Sequence, residues 1–199
     1  MFRMEGINLH FRFVRRYGMK QQDIRITTSC EIDLTDHERV AISGLLQHSF
    51  EQYPAGKIYF PQPPHFRVLG WSGDQLIGHL GGMIREVAVG NRRLLIMGVC
   101  DLCVDPAMHR QRWASILLDR LESLAAANGI QYVVAISREM DFFQDRGFQS
   151  IDPRCIWLAY LDGRSLGLYR RHLGGDIHVK CLSTGGWPDG ELDLLGPMF

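Results

Sequence analysis

The stretch VCDLCVDPAMHRQRWASILLDRLESLAAAN, Val99 to Asn128, decides the fold. A short apolar run from Val99 to Val104 gives way to a basic loop, Met108-His109-Arg110-Gln111-Arg112, and then to a long amphipathic segment. From Trp113 the apolar residues recur at Ile116, Leu117, Leu121, Leu124 and Ala125. That is the helical period, and it leaves Asp119, Arg120 and Glu122 toward solvent. Asn128-Gly129 then supplies a left-handed stop. The spacing predicts a strand feeding a helix. A helix start with free backbone N–H groups, a favourable dipole and three cationic or potentially cationic side chains is an anion site, with phosphate the expected anion.

These residues also carry a family resemblance. Val104-Asp-Pro-Ala-Met-His-Arg-Gln-Arg-Trp-Ala-Ser-Ile-Leu-Leu118 resembles the acyl-CoA-binding signature of GNAT N-acetyltransferases, a V-x-P-x-x-[QR]-x-x-G-x-[GA] loop running into a helix. Val104, Pro106, Ala114 and Leu117-Leu118 fall in register. His109 stands where the family usually has Gln or Arg, and Arg112 where it usually has the glycine that lets the backbone approach the pyrophosphate. A second match lies at Tyr132 to Phe148, YVVAISREMDFFQDRGF, similar to the family's next strand and its F-Y-x-x-x-G-F helix and turn. Phe142, Gly147 and Phe148 agree; Phe143 replaces the tyrosine that often protonates the leaving thiolate.

The resemblance implies an α/β protein with an α+β mixed sheet. In this GNAT fold a central twisted, mostly antiparallel sheet contains a splayed parallel strand pair and carries flanking helices. It further implies acetyl-CoA, or another acyl-CoA, held by Leu102, Cys103, Val104, His109, Arg110, Gln111, Arg112, Trp113, Ala114, Ser115, Ser137 and Phe143. The acyl group would pass to a primary amine of a small molecule by direct attack in a ternary complex. A backbone N–H of Cys100 to Val104 would polarise the thioester, and an acidic residue would take the amine's proton. Asp101 lies on the right strand. Ungapped alignment puts its counterpart in one subgroup at Cys100, a shift that a β-bulge would correct, so both are candidates.

Elsewhere the chain reads in order. Residues 1–20 lack periodicity and are expected to be an N-terminal extension, either mobile or preceding a natural start at Met19; residues 21–199 are expected to be a single domain. Asp23 to Thr27 reads as an edge strand. Thr35 with Glu38 three residues on is a capping box opening a helix with an apolar face at Val40, Leu45, Leu46 and Phe50. Tyr53 to Pro64 is too rich in proline for regular structure. Tyr53, Tyr59 and Phe60 make it a candidate acceptor-binding lid, or an ordinary surface loop with its aromatics tucked in. A β-meander follows over Phe66–Trp71, Leu76–Val89 and Arg93–Val104, with turns at Ser72-Gly73-Asp74 and Gly90-Asn91; Gly78, Gly81 and Gly82 suggest a bulge or close backbone approach. His79, in the second strand, faces either the sheet packing or the acceptor, and the packing reading is the simpler. Cys155 to Tyr160 is a later strand.

The ending, Gly185 to Phe199, resembles those of the aminoglycoside 2′-N-acetyltransferase and nodulation N-acyltransferase subgroups through Trp187-Pro188-Asp189-Gly190 and Gly196-Pro197. Those subgroups imply a tail over the acceptor site, with Glu191, Asp193 and the carboxylate of Phe199 facing a cationic amino sugar or aminoglycoside-like amine. A solvated tail is the simpler alternative.

Composition bounds the rest. Lys+Arg and Asp+Glu are both 22, so no global field recommends nucleic acid. No apolar run reaches the roughly 20 residues of a membrane span, and the start of the chain interrupts its apolar residues with charges too often for a secretory signal, so a cytoplasmic protein is expected. The five cysteines are odd and scattered, which argues against a disulfide framework. Cys100-x-x-Cys103 has no second pair to complete a zinc site, so no metal is expected. The expected partner is a small-molecule amine, and a homodimer is compatible with the sequence. Two other readings stay open: a donor presented by an acyl carrier protein, and a non-catalytic GNAT-like CoA-binding or regulatory module, which Arg112 and Phe143 would suit.

Overall fold

The computed structural model describes residues 9, 10 and 24–199, apart from 52 and 162. Most of the expected extension, with Met19 and Asp23, lies outside them. Strand β1 (Leu9–His10) pairs antiparallel with β2 (Ile24–Cys30), so the edge expected at β2 is covered.

Helix α1 (Asp36–Ser49) begins at the expected capping box: the Thr35 hydroxyl accepts the Glu38 N–H, and the Glu38 carboxylate accepts the Thr35 N–H at 2.9 Å. Its buried stripe is Ile42, Leu45 and Leu46. Val40, expected on that face, is 74% exposed. The reason is the helical period, which carries Val40 about 200° around the helix from Ile42 while Leu45 and Leu46 return to the same side.

The meander forms β3 (Phe66–Ser72), β4 (Gln75–Val89) and β5 (Arg92–Val104). Its turns place Gly73 at φ 58° and Gly90 at φ 56°, the left-handed geometry that two-residue hairpins demand. The β3–β4 register slips so that Gly70 faces Gly78 while Trp71 faces Leu76, which leaves Ile77 as the extra residue of a bulge. Gly82 marks a close approach, because a Cβ there would sit 2.2 Å from the Phe66 ring.

Helix α2 (Trp113–Ala127) follows, buries Trp113, Leu117, Leu121 and Ala125 as expected and Leu118 besides, and stops at Gly129 with φ 71°. Then come β6 (Tyr132–Ile136), α3 (Met140–Asp145), β7 (Gln149–Ile151), β8 (Cys155–Leu161), β9 (Arg164–Arg171), β10 (Ile177–Cys181) and β11 (Leu192–Asp193). The sheet is mixed: β5/β6 and β8/β11 pair in parallel, and the other registers are antiparallel. No helix among the described residues is long and apolar enough to cross a membrane.

The chain divides into two compact units, to each of which β4, β5 and α2 contribute residues. The first comprises the chain up to Gly82 together with Asp101–Leu121. Its core gathers Ile42, Leu45 and Leu46 of α1 with Leu69, Trp71, Leu76 and Cys103, each large aliphatic contributing about 1.5–3 kcal/mol. The second comprises Met83–Cys100 and Glu122–Phe199, with a core of Val87, Val89, Leu94, Ile96, Val134, Trp157, Ile177, Val179, Leu192 and Leu194. The tail belongs to this second core: Leu192 and Asp193 pair antiparallel with Val89 and Ala88 and parallel with Cys155 and Ile156.

Candidate active site

In the first unit, the loop between β5 and α2 is built by short-range bonds. Asp105 donates its N–H to the Ile77 carbonyl at 2.9 Å, and its carboxylate caps the short turn Pro106–Met108 by accepting the Ala107 N–H at 2.9 Å. His109 reaches back through Nε2 to the Val104 carbonyl at 2.9 Å. Arg110 and Arg112 then take φ 61° and 65°. The conformation a glycine would supply is thus adopted by arginine, at about 1–2 kcal/mol for each such residue. Both arginines are exposed, and among the described residues neither has a salt-bridge partner. The first bond of α2 runs from the Ile116 N–H to the Arg112 carbonyl at 3.0 Å, so the amides of Trp113, Ala114 and Ser115 precede the helical ladder. Trp113 itself is buried, and Gln111 lies half-buried over the Met108 sulfur. Two free guanidiniums and three amides fit a diphosphate.

Just upstream, Asp101, within β5, takes φ 47°. A β-bulge is what would bring Asp101 into register with its counterpart; the backbone here is left-handed. Its carboxylate accepts the Tyr53 hydroxyl at 2.8 Å, and burial raises its pKa, opposed by that hydrogen bond and by the Arg67 charge. The main-chain carbonyl of Asp101 accepts His79 Nδ1 at 2.8 Å; the other ring nitrogen, Nε2, lies 2.8 Å from Arg67 Nη1. Arg67 is fully buried and paired with Glu31 through two bonds of 2.6 and 3.1 Å. His79 is also fully buried, and burial together with the Arg67 charge lowers its pKa to about 3. Cys103 is buried, its thiol pushed up to about 12; Leu102 and Val104 are half-buried.

Within the Pro-rich segment, Tyr53 bonds Asp101 and Ile58 is buried in the core. Tyr59 packs against that core, while Phe60 is 52% exposed. The structure therefore brings Tyr53, His79 and Asp101 together, with His79 wholly inside and facing the sheet packing.

In the second unit, β5 and β6 pair from Ile96/Tyr132 to Gly98/Val134, while β5 itself goes on beyond Gly98 and β6 to Ile136. Cys100 is buried. Ser137 accepts the Glu139 N–H through its hydroxyl, and its carbonyl takes His178 Nε2 at 2.8 Å. Phe143 is 3% exposed and stacks on His178 with centroids 5.0 Å apart. Glu191 is held by Arg170 through two bonds of 2.5 and 2.6 Å, which lower its pKa. Asp193 caps its own turn by accepting the Leu195 N–H at 2.9 Å. The Phe199 ring covers Gly98, where an added Cβ would meet it at 3.0 Å, and the Arg85 guanidinium lies 5.5 Å from its centroid. Glu191 and Asp193 are thus engaged within their own unit.

Sequence reasoning passed over Glu31 and Arg67. The signal was a lone Arg in the apolar strand FRVLGW, a charge that a sheet interior admits only with a partner.

Comparison with known proteins supplies the context. A family model, "Acetyltransferase (GNAT) domain", matches residues 33–151, more than half of the chain. Among solved structures, the Escherichia coli GNAT family N-acetyltransferase YhbS in complex with CoA is similar at 18% identity and TM-score 0.62, over 90% of this chain and 93% of that one. A GNAT acetyltransferase from Brucella melitensis in complex with acetyl-CoA aligns at 15% identity and TM-score 0.54, over 84% and 94% of the two chains. Escherichia coli ElaA aligns at 17% identity and TM-score 0.53, over 73% and 97%. No curated protein matches the chain in sequence.

Proposed function

Because this chain belongs to the GNAT acetyltransferase family, we propose that it moves an acetyl group from acetyl-CoA to a primary amine of a small molecule. The observation that carries the reading is the loop before α2, where Arg110 and Arg112 hold left-handed backbones beside the free amides of a helix start. In this reading the two guanidiniums and the amides of Trp113 to Ser115 bind the CoA pyrophosphate. A main-chain N–H of Asp101–Val104 polarises the thioester carbonyl. The Asp101 carboxylate takes one proton from the acceptor's ammonium group. The neutral nitrogen then attacks the thioester carbon, the C–N bond forms, and the C–S bond breaks with its electrons going to sulfur. The nitrogen's second proton reaches the thiolate through water, because Phe143 has no hydroxyl to give one.

An amino sugar or aminoglycoside-like acceptor is supported by the likeness of the tail around Trp187-Pro188. Engagement of Glu191 by Arg170 and of Asp193 by its own turn weakens the case for these carboxylates as acceptor ligands. A buried Phe143 in the tyrosine's place is what a non-catalytic CoA-binding module would also carry.

The test is a calorimetric titration of acetyl-CoA alongside a free-thiol assay with glucosamine, kanamycin and spermidine. Binding together with amine-dependent thiol release supports transfer, and binding without release supports the non-catalytic module. If acetyl-CoA fails to bind while acyl-loaded carrier protein supports release, the donor is the carrier protein. Removing both charges at Arg110 and Arg112 should weaken acetyl-CoA binding by an amount that shrinks as salt rises.

A further inference from the structure

Asp101 is gripped from two sides within the first unit. Tyr53 donates its hydroxyl to one carboxylate oxygen at 2.8 Å, and His79 bonds the main-chain carbonyl at 2.8 Å. Between those two contacts lies a left-handed backbone, φ 47°, that an aspartate adopts at a cost and keeps only when its surroundings enforce it. The second grip has a defined polarity. Arg67 has donors alone, so His79 Nε2 must accept from it and Nδ1 must carry the proton given to the Asp101 carbonyl. Arg67 in turn is fixed by its bidentate bond to Glu31, with side-chain exposures of 0% and 13%. A buried ion pair is an expensive way to stabilise a fold, and specifying one arrangement is a better-attested use of one.

We propose that Tyr53 and His79 are positioning residues for Asp101: Tyr53 aims its carboxylate, and His79, locked in one tautomer by the Glu31–Arg67 pair, holds its main chain in the left-handed conformation. The inference rests on the reading of Asp101 as proton acceptor and adds two residues, from the Pro-rich segment and from β4, to the machinery of that reading. Four groups act on Asp101: Tyr53, Arg67 of β3, His79 of β4, and Cys103 on β5 itself. The phenol and thiol are held protonated, both with raised pKa, and His79 is held neutral, so Asp101 is the member of the cluster that titrates.

The experiment follows the carboxyl carbon of Asp101 by 13C NMR in the full-length protein without ligand, the signal being assigned with Asp101→Asn. Transfer rates with acetyl-CoA and the best of glucosamine, kanamycin and spermidine are measured in parallel. Tyr53→Phe removes a donor to the ionised carboxylate. It should raise the Asp101 midpoint, move the rising limb of the rate–pH profile upward in step, and lower kcat/KM at neutral pH roughly tenfold, the worth of one charge-assisted hydrogen bond. Acetyl-CoA affinity should not change. His79→Gln offers both a donor and an acceptor and should keep most of kcat, whereas His79→Leu should lose tenfold or more in kcat at unchanged acetyl-CoA affinity. An unmoved Asp101 midpoint in Tyr53→Phe overturns the proposal, as does folded His79→Gln that is no better than folded His79→Leu. Should His79→Leu fail to fold, the Tyr53→Phe midpoint decides alone. If the wild-type protein transfers nothing while that midpoint still moves, it is the reading of Asp101 as base that has failed, and the positioning stands.

Discussion

Lowering the pH from 7 to 4 should cost this protein stability that the variant His79→Gln keeps. His79 lies fully buried between the Arg67 guanidinium and the Asp101 carbonyl, and this environment takes its pKa from 6.5 to about 3. The unfolded chain therefore binds the proton more readily than the folded one. The stability tied to the neutral ring is complete above 6.5 and is lost as the pH falls toward 3. At pH 4 the gap from the ordinary value makes the loss about 3 kcal/mol, a large share of the roughly 5–15 kcal/mol that holds an ordinary domain together. Glutamine keeps a donor for the Asp101 carbonyl and an acceptor for Arg67 but has nothing to protonate. Urea unfolding at pH 7, 5 and 4, followed by the fluorescence of Trp71 and Trp113, measures the effect. Acid effects on the rest of the molecule are common to both proteins and drop out of the comparison. Equal losses between pH 7 and 4 in the two proteins would refute the reasoning.

Two further outcomes concern backbone geometry. Gly82→Ala should destabilise by about 1–3 kcal/mol in thermal unfolding, because its Cβ would overlap the Phe66 ring at 2.2 Å; a stability within about 0.5 kcal/mol of wild type would mean the ring moves freely. Arg112→Gly relieves the left-handed strain at φ 65° but gives the unfolded chain more freedom. Its stability should stay within about 1 kcal/mol of wild type, while acetyl-CoA affinity falls roughly fivefold at low salt, the upper range for an exposed charge contact. Unaltered affinity would remove Arg112 from the phosphate site.

The features legible in the sequence were those set by local chemistry. Thr35 and Glu38 cap α1 because the two residues satisfy each other across three positions; Gly73, Gly90 and Gly129 turn the chain because their φ values suit few other residues. The basic loop was legible for the same reason, although both of its arginines take a conformation usually left to glycine. What stayed hidden was convergence over distance. Tyr53 meets Asp101 across 48 positions and Arg67 meets Glu31 across 36, and no periodicity encodes such meetings. β9, RSLGLYRR, is exposed along its whole length and so shows no buried alternation, and β11 is two residues long. The tail's pairing was equally hidden, because charge alone does not reveal that Arg170 bonds Glu191.

The central claim is that Asp101 takes the acceptor's proton during acetyl transfer from acetyl-CoA. Thiol release by Asp101→Asn, measured beside acetyl-CoA affinity, tests it most directly, since asparagine can still accept the Tyr53 hydroxyl but cannot accept a proton from an ammonium group. The account predicts a rate lower by roughly 10²–10⁴-fold, the usual worth of a positioned base, with acetyl-CoA bound as tightly as before. Release at the wild-type rate from a folded Asp101→Asn protein would contradict it.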